Sequence, residues 1–212
     1  MTSDMPGKLL FVDVETTGLT YDDRMVTLGL VSLDLDTSGP DHPQIRLGHF
    51  IFNPGRPSNP FAAAVHGYDD WTLRHQSDFG DHVEDILPFF REPGRIVAHN
   101  ASFDERFVRT AFCESAVEID LPKFFCTMRA WRARHGAPAG LDPVITRMGI
   151  KSRGKQHGAL EDAWLCMRVY LHLHGLPCPD APEHLQPLAF QPVNWVEPEP
   201  KPVRGMRKIH GG

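Results

Sequence analysis

Residues 8–18 read KLLFVDVETTG, and this stretch decides the fold. Residues 8–14 are a run of apolar and β-branched side chains that ends at the turn sequence TTG (16–18), which predicts a buried strand. Because residues two apart point to the same face of a strand, Asp13 and Glu15 are expected to project together from its end. Oxygen-only carboxylate ligands are those that Mg²⁺ and Mn²⁺ require. The pair is therefore a candidate metal site, although Asp-x-Glu is also a common surface tripeptide.

The segments that follow predict an α/β fold, a mixed sheet flanked by helices. Residues 25–36 and 45–53 are further strand candidates, and three adjacent strands suggest a meander. Residues 95–99 predict a short strand that leads into a helix, and this connection favours parallel pairing. Helical spacing of apolar residues occurs in 79–91, after 102, and in 128–135, 141–148 and 159–174.

Length and composition indicate how many domains the chain can form. With 212 residues, 41% hydrophobic and 23% charged, it matches an ordinary globular protein. From residue 176 the composition shifts to a polar stretch punctuated by proline, which cannot bury enough surface by itself to offset its ordering entropy. We therefore expect one domain over 1–175 and a Pro-rich tail over 176–212, which either wraps the domain or awaits a partner.

Charge and cysteine content limit the ligands and the cellular location that we expect for the protein. The net charge of −5 argues weakly against a nucleic-acid binder, but carboxylates loaded with divalent cations would make a site electropositive. The four cysteines show no zinc-like spacing and no disulfide framework. Since there is no apolar leader and no run of about 18 apolar residues, we expect no membrane span and a cytoplasmic location.

A second motif, AHNASFDERF (98–107), adds a third carboxylate. Asp104 lies at the start of a helix that follows a strand, and this is where α/β sheets commonly frame their sites. The alternative is that Asp104 only interacts favourably with the helix dipole. His99 and Asn100 are expected to act as structural hydrogen-bonding groups in the same turn.

A third motif, HGALEDA (157–163), adds a histidine and a fourth carboxylate. His157 and Asp162 are five residues apart and would not share a face of a regular helix. The glycines at 154 and 158 instead predict that His157 lies in a mobile loop over 150–158, ahead of Asp162 in the first helical turn. A histidine that titrates near neutrality is suited to take a proton from water.

Together and in this order, the three motifs resemble those of the DEDDh group of 3′-to-5′ exonucleases, which have a ribonuclease H-like fold. The sequences VHG (65–67) and NPGRP (53–57) are similar to two further elements of that family. The resemblance covers about residues 8–175 and implies an α/β fold with a mixed five-stranded sheet. MVTLG (25–29) lacks a glutamate that many relatives have, and Cys126 replaces a common aspartate, so the subfamily stays open.

The resemblance also implies roles for individual residues. Two Mg²⁺ or Mn²⁺ ions per site would be held by four carboxylates, and His157 would be the general base. The terminal nucleotide would bind among Thr16, His66 and Phe103, although Phe103 could equally be an ordinary core aromatic. The carboxylate ligands implied in this way are Asp13, Glu15, Asp104 and Asp162.

These observations support three hypotheses of function. The leading one is a metal-dependent 3′-to-5′ exonuclease that releases nucleoside 5′-monophosphates from DNA 3′ ends, mainly single-stranded, in proofreading or repair. The alternative is an exoribonuclease that trims RNA, because sugar discrimination depends on contacts that sequence does not reveal. The third is a non-catalytic binding module, which would be marked by a lost carboxylate or histidine, and none is lost here.

The tail contains one candidate partner motif. QPLAF (186–190) resembles the Gln-anchored apolar peptide that follows the exonuclease domain in the proofreading epsilon subunit of bacterial DNA polymerase III and docks on the sliding clamp. A sliding clamp or a polymerase subunit is therefore a candidate partner. The alternative is that Leu188 and Phe190 pack back on the domain.

Overall fold

One mixed sheet of five strands, in the order β3-β2-β1-β4-β5, organises the protein. It is seen in a computed structural model that describes residues 7–35, 44–91, 93–150, 158–180 and 191–202. The strands are β1 (Lys8–Thr16), β2 (Met25–Asp34), β3 (Gln44–Ile51), β4 (Arg95–Ala98) and β5 (Phe125–Cys126). The helices are α1 (Pro60–His66), α2 (Asp70–Leu73), α3 (Val83–Arg91), α4 (Ala101–Glu114), α5 (Thr127–His135), α6 (Leu141–Arg147) and α7 (Ala159–His174).

The pairing of the strands matches the predicted meander and parallel crossover. Strands β1, β2 and β3 are antiparallel neighbours, β4 is parallel to β1, and β5 is parallel to β4. The predicted α/β fold with a mixed five-stranded sheet is therefore confirmed. Several boundaries shift by one or two residues, such as the end of β3 at Ile51 rather than at 53. The segment 79–91 begins as a short 3-10 helix (Phe79–His82) before α3.

The alternation of β1 divides the core into two layers. Leu10, Val12 and Val14 face the helical layer that contains Phe107 and Val108 of α4. On the opposite face, Leu9 and Phe11 pack against α7, where they contact a cluster that includes Leu160, Trp164 and Tyr170. Because side chains alternate along a strand, the face that carries Leu9 and Phe11 also carries the next two odd-numbered residues, Asp13 and Glu15. The sheet therefore directs both carboxylates toward α7.

The described part of the tail lies on the domain. The backbone N–H of Val193 donates to the carbonyl of His49 in β3 at 2.8 Å, and the side chain of Asn194 bonds both the N–H and the C=O of Ile51. Of the two alternatives for the tail, residues 191–202 follow the one that wraps the domain. The motif at 186–190 lies outside the described residues. The boundary at residue 175 stays a prediction.

Among the helices in the described ranges, none is both long enough and apolar enough to cross a bilayer.

A glycine in β2 allows α7 to lie against the sheet. A Cβ at Gly29 would be only 2.1 Å from the carbonyl carbon and oxygen of Ala159, and 2.3 Å from the nitrogen of Leu160. These backbone atoms form the first turn of α7 and cannot move without moving the helix. Gly29 also pairs with Asp13 across the β1–β2 ladder. A side chain at this position would therefore separate Asp162 in α7 from Asp13.

We predict that Gly29→Ala destabilises the protein by about 1–3 kcal/mol, because overpacking forces backbone shifts. Gly80→Ala is the matched control, since its Cβ would meet nothing closer than 3.6 Å. Gly80 is an exposed residue inside the 3-10 helix Phe79–His82, where alanine is no less favourable than glycine. Urea unfolding of both variants measures the difference, and equal stability of the two would contradict the close approach.

Candidate active site at the end of the first strand

Three carboxylates converge at the end of β1. Asp13 and Glu15 from β1 and Asp162 from α7 each offer an oxygen atom, and these atoms all lie within 4.8 Å of one another. Asp13 and Glu15 are half-buried, and Asp162 is 5% exposed. The structure thus brings together three of the four carboxylates that the motifs predict as ligands. Two of them come from the alternation of one strand, and the third comes from a helix that begins about 150 residues later.

The first turn of α7 fixes Asp162. The helix begins after Gly158, whose carbonyl accepts a hydrogen bond from the Asp162 N–H at 2.9 Å. Glu161 and Asp162 are both acidic residues of the first turn, where the helix dipole favours negative charge. Asp162 lies on the buried face of the helix with Ala159 and Ala163, so its carboxylate points toward the sheet. The predicted position in the first turn is correct.

Asp104 approaches the same strand from the other side. Its Oδ1 accepts a hydrogen bond from the backbone N–H of Val14 at 3.2 Å, and its side chain is 3% exposed. This N–H is free to donate because the β1–β4 ladder ends at the pair Phe11–Val97, before Val14. Burial, and then the charge of Asp13, raise the pKa of Asp104 well above its ordinary value. Asp104 therefore belongs to the same electrostatic cluster as Asp13.

The donor set fits a divalent cation. All the converging atoms are carboxylate oxygens, which are the ligands preferred by Mg²⁺ and Mn²⁺ rather than by soft metals. Burial and the charge of Asp13 disfavour the ionised form of Asp104 and raise its pKa, and a bound cation would offset this cost. Asp13, Glu15 and Asp162 could hold one ion directly, with Asp104 beside them.

The turn after β1 is held by a residue that the sequence reading missed. Asp23 is 7% exposed and accepts hydrogen bonds from the Thr17 hydroxyl and from the Thr20 N–H and hydroxyl. A Cβ at Gly18 would be 2.6 Å from the Asp23 carboxylate, which explains the glycine of the TTG sequence. Nothing in the sequence distinguishes Asp23 from its exposed neighbour Asp22, because the turn has no periodicity.

Thr16 belongs to this turn as well as to β1. Its side chain is 5% exposed, and its hydroxyl donates to the Gly18 carbonyl at 2.7 Å. The backbone of Thr17 accepts a hydrogen bond from the Asn59 N–H at 2.7 Å, which attaches the start of α1 to the same turn. The turn therefore joins the carboxylate cluster to α1, the helix that ends in His66.

His66 is a buried, neutral histidine with a defined tautomer. Its Nδ1 accepts a hydrogen bond from the Tyr68 N–H at 3.1 Å, so the ring proton lies on Nε2. Nε2 is buried and has no hydrogen-bond partner within the described part of the chain. Burial lowers the pKa of His66 from 6.5 to about 4, so the ring is uncharged near neutral pH. His66 thus holds one N–H donor for which the described residues provide no acceptor.

Tyr68 links His66 to the carboxylates. The two rings stack at a centroid distance of 5.9 Å and an interplanar angle of 23°. Burial, and then the charge of Glu15, raise the pKa of the Tyr68 hydroxyl to about 12. The motif VHG predicted His66 alone, since a tyrosine two residues after a histidine carries no recognisable signal.

Of the two remaining predicted site residues, Phe103 and His157, the structure describes only Phe103. Phe103 is half-buried at the start of α4, packs edge-on against Phe107 at 4.9 Å, and has the Arg106 guanidinium 5.7 Å from its ring. Its ring contacts the core but stays partly exposed. Phe103 therefore fits both predicted roles, a nucleotide-binding residue and an ordinary core aromatic. His157, with the loop at 151–157, lies outside the described residues.

The expected structural role of His99 is borne out by its contacts. The ring is 6% exposed, with Nδ1 at 2.9 Å from the Thr127 hydroxyl and Nε2 at 2.9 Å from the Ala139 carbonyl. These two bonds connect β4 to α5 and to the segment that leads into α6. Asn100 is the N-cap of α4 but makes no side-chain capping hydrogen bond.

The mixed sheet, with two carboxylates at the end of β1 and a third in α7, defines an α/β domain with a candidate divalent-metal site. The exonuclease family, whose sequence model is called RNase_T, matches residues 10–170. The chain belongs to this family. All the described carboxylates of the cluster fall inside the matched range.

Three bacterial proteins of similar sequence have the same name. The DNA polymerase III subunit epsilon of Haemophilus influenzae is 29% identical over 182 residues, which cover 80% of this chain and 68% of that protein. The subunit epsilon of Rickettsia prowazekii is 31% identical over 180 residues, covering 78% and 73%. The subunit epsilon of Escherichia coli is 32% identical over 135 residues, which cover 60% of this chain and 54% of that protein.

Solved structures confirm the fold. The nuclease domain of 3′hExo, a DEDDh family member bound to rAMP, superposes with a TM-score of 0.64 at 12% identity and covers 82% of this chain and 95% of that one. Escherichia coli exonuclease I in complex with a dA16 oligonucleotide gives a TM-score of 0.62 at 16% identity, covering 87% and 42%. At these identities the likeness concerns the fold alone.

We predict that divalent cations stabilise the folded protein through the carboxylate cluster. A ligand at 100 times its Kd adds about 2.7 kcal/mol, and for a domain of this size that raises Tm by about 5–10 °C. Thermal unfolding in Mg²⁺ or Mn²⁺, compared with unfolding in a chelator, measures this shift. Asp13→Asn should lose most of it, whereas Glu84→Gln, an exposed carboxylate of α3, should keep it. Equal Tm with and without cations would exclude a metal site here.

We predict that His66 makes stability depend on pH between 6.5 and 4. The unfolded chain binds a proton at pH 6.5, but the folded chain does so only near pH 4. Stability is therefore fully present above pH 6.5 and falls as the pH decreases, by about 2 kcal/mol between pH 7.5 and 5. Urea unfolding of His66→Gln should lack this component, and His172→Gln, an exposed histidine of α7, should retain it. Parallel pH profiles for all three proteins would refute the buried, neutral state.

Proposed function

We propose that the protein is a metal-dependent 3′-to-5′ exonuclease that acts on DNA 3′ ends and releases nucleoside 5′-monophosphates, in proofreading or repair. The observation that carries the proposal is the convergence of Asp13, Glu15 and Asp162 within 4.8 Å in a chain of the exonuclease family. Asp104 supports it, because its buried carboxylate accepts a hydrogen bond from the N–H of Val14, the residue next to Asp13.

The carboxylates would hold Mg²⁺ or Mn²⁺, two ions per site. When bound, such ions activate a water molecule and stabilise the leaving oxygen of a phosphodiester. Asp13, Glu15 and Asp162 would hold the ions together with Asp104, which lies beside them on the backbone of Val14. Fixing these side chains on a strand and two helices keeps the oxygens in place, which a site on loops would not do.

His157 would act as the general base. In the sequence it directly precedes Gly158, the N-cap of α7, and it comes five residues before Asp162. Nearby carboxylates stabilise the protonated form of a histidine, and this favours the transfer of a proton from water to the ring. Replacing such a base lowers the rate by about 10²–10⁴-fold.

The terminal nucleotide would bind beside the cluster, on a wall that includes Thr16, His66 and Phe103. The support for His66 is its buried Nε2–H, because leaving such a donor unpaired costs about 1–3 kcal/mol unless a ligand accepts it. The support for Phe103 is the exposed part of its ring, which could stack on a base. Thr16 would contribute its backbone, since its hydroxyl is bonded within the turn.

DNA is favoured over RNA by the relatives, which are named as DNA polymerase subunits. RNA is the second candidate, because a solved neighbour is described as a 3′-exonuclease that recognises a histone mRNA stem-loop. A polymerase subunit or a sliding clamp would be the protein partner, bound through the tail. The motif for this contact, QPLAF at 186–190, lies outside the described residues.

The experiment is a cleavage assay on matched single-stranded DNA and RNA oligonucleotides, labelled at the 5′ end, with Mg²⁺ or Mn²⁺. We predict stepwise shortening from the 3′ end, release of nucleoside 5′-monophosphates, and faster turnover of DNA. Equal or faster turnover of RNA would assign the alternative substrate.

Matched variants identify the site responsible. We expect Asp13→Asn and Asp162→Asn to lower kcat by at least about 10²–10³-fold, the usual cost of removing a group that stabilises transition-state charge. Glu84→Gln should be as active as the wild type, since Glu84 is an exposed residue of α3. Full activity of the Asp13 variant in a clean preparation would rule out catalysis at this cluster.

A further inference from the structure

Residues 191–202, here called the strap, complete the free edge of the sheet. Strand β3 lies at this edge, where unpaired N–H and C=O groups would otherwise face outward. The Asn194 side chain accepts from the Ile51 N–H at 2.9 Å and donates to the Ile51 carbonyl at 2.7 Å, as a backbone partner would. Val193 adds a backbone hydrogen bond to His49 at 2.8 Å. The strap therefore acts as a short extension of the sheet.

A buried glutamine of the domain depends on the strap for its hydrogen bonds. Gln76 is 5% exposed, and its Oε1 accepts from the Val196 N–H at 2.9 Å. Its Nε2 donates to the Val196 carbonyl at 2.9 Å and to the Thr72 carbonyl at 3.0 Å. Without the strap, two of these three bonds would be lost at a buried amide. The domain is thus built to receive this segment.

Two further bonds attach the strap to the region of α2. The Trp71 indole N–H donates to the Glu199 carbonyl at 2.6 Å, and the Lys201 ammonium lies 2.6 Å from the Asp69 carboxylate. Asp69 is also the N-cap of α2, where it accepts from the Thr72 N–H. The strap therefore crosses from the end of β3 to α2, and the short segment between α1 and α2 contains Tyr68.

Trp195, at the centre of the strap, is connected by side-chain packing to the residues proposed to bind the terminal nucleotide. These residues, Thr16, His66 and Phe103, are here called the nucleotide wall. The Trp195 ring packs on the buried cluster of Val26, Ile51 and Leu73 and lies 6.2 Å from the Tyr68 ring. Tyr68 in turn stacks on His66 and donates its N–H to the His66 ring. Indole, phenol and imidazole thus form one continuous series of contacts that ends at the His66 Nε2–H, which has no hydrogen-bond partner in the described part of the chain.

Helix α1 needs such external support. It has only seven residues, which is too short to be stable by itself, and it ends at Gly67 in the left-handed conformation. Its outer side is open, with Phe61 85% exposed and Val65 36% exposed. The inner contacts through His66 and Tyr68 therefore hold its C-terminal end. The metal cluster, by contrast, is carried by β1, α4 and α7, which contain no strap contact among those described above.

We propose that the strap is part of the nuclease and that Trp195 is a positioning residue, which holds Tyr68 and thereby aims the His66 Nε2–H at the terminal nucleotide. This inference rests on the proposed function and adds a residue outside the family match, which ends at 170. Trp195 touches neither substrate nor metal. It acts on substrate binding, and the chemistry at the carboxylates proceeds without it.

The kinetic test uses the full chain, single-stranded DNA and Mg²⁺. Trp195→Ala should raise KM by about tenfold with kcat within about twofold, the pattern of a lost binding contact. Trp195→Phe, which keeps a ring against Tyr68, should recover most of the affinity. Val193→Ala is the control: it alters an exposed strap side chain and keeps the backbone hydrogen bond to His49. Unchanged KM in Trp195→Ala, or a fall in kcat that follows the folded fraction, would overturn the proposal.

A second readout does not require activity. The Tyr68 amide, which donates to His66, should exchange its hydrogen at least about tenfold faster in Trp195→Ala, because local opening governs exchange. The amide of Leu30, in the centre of the sheet, should be unaffected, and Val193→Ala should match the wild type at both sites. Unchanged Tyr68 exchange would refute the positioning role. If no protein in the series cleaves DNA, the proposed function fails, while the exchange data still decide whether Trp195 holds the wall.

Discussion

The two-residue alternation of β1 is the constraint on which the rest of the structure depends. Leu9 and Phe11 bury one face of the strand against α7, and the same alternation then directs Asp13 and Glu15 toward that helix. A one-residue slip would send both carboxylates into the opposite core layer. The register is protected where Gly29 of β2 lies against the first turn of α7, since no side chain fits between them. Hydrophobic packing of the sheet thus sets the distance between Asp13 and Asp162.

The site combines two regions with opposite electrostatic requirements. The carboxylate cluster concentrates negative charge, and burial, followed by the charge of Asp13, raises the pKa of Asp104. The neighbouring wall is neutral: burial keeps the His66 ring uncharged, and the Tyr68 hydroxyl keeps its proton. In the proposed function, this neutral donor binds the nucleotide without competing with metal ions for the carboxylates. The first region is rigid because it belongs to the core, and the second depends on a short helix and on the strap.

The sequence predicted most of this fold because its signals are local. The apolar alternation of β1, the helical spacing over 159–174 and the three motifs each lie within one segment, so they indicated the strand, the bounds of α7 and the order of the carboxylates. The single helix predicted over 79–91 was wrong at its start, because a 3-10 turn and an α-helix share the same apolar spacing over a few residues. The prediction of His157 as a loop residue and a base stays a prediction.

By itself, the sequence determined which side chains can take part: carboxylates on alternate strand positions, an acidic first helical turn, and a histidine in VHG. Only the tertiary structure decided how they are held. It showed Asp104 bonded to the backbone of Val14, the proton of His66 placed on Nε2, Asp23 organising the turn, and the strap packed on Tyr68 through Trp195. The physical reason is that these contacts join backbone groups and side chains far apart in the chain. Their free energy depends on proximity and burial, which no local pattern records.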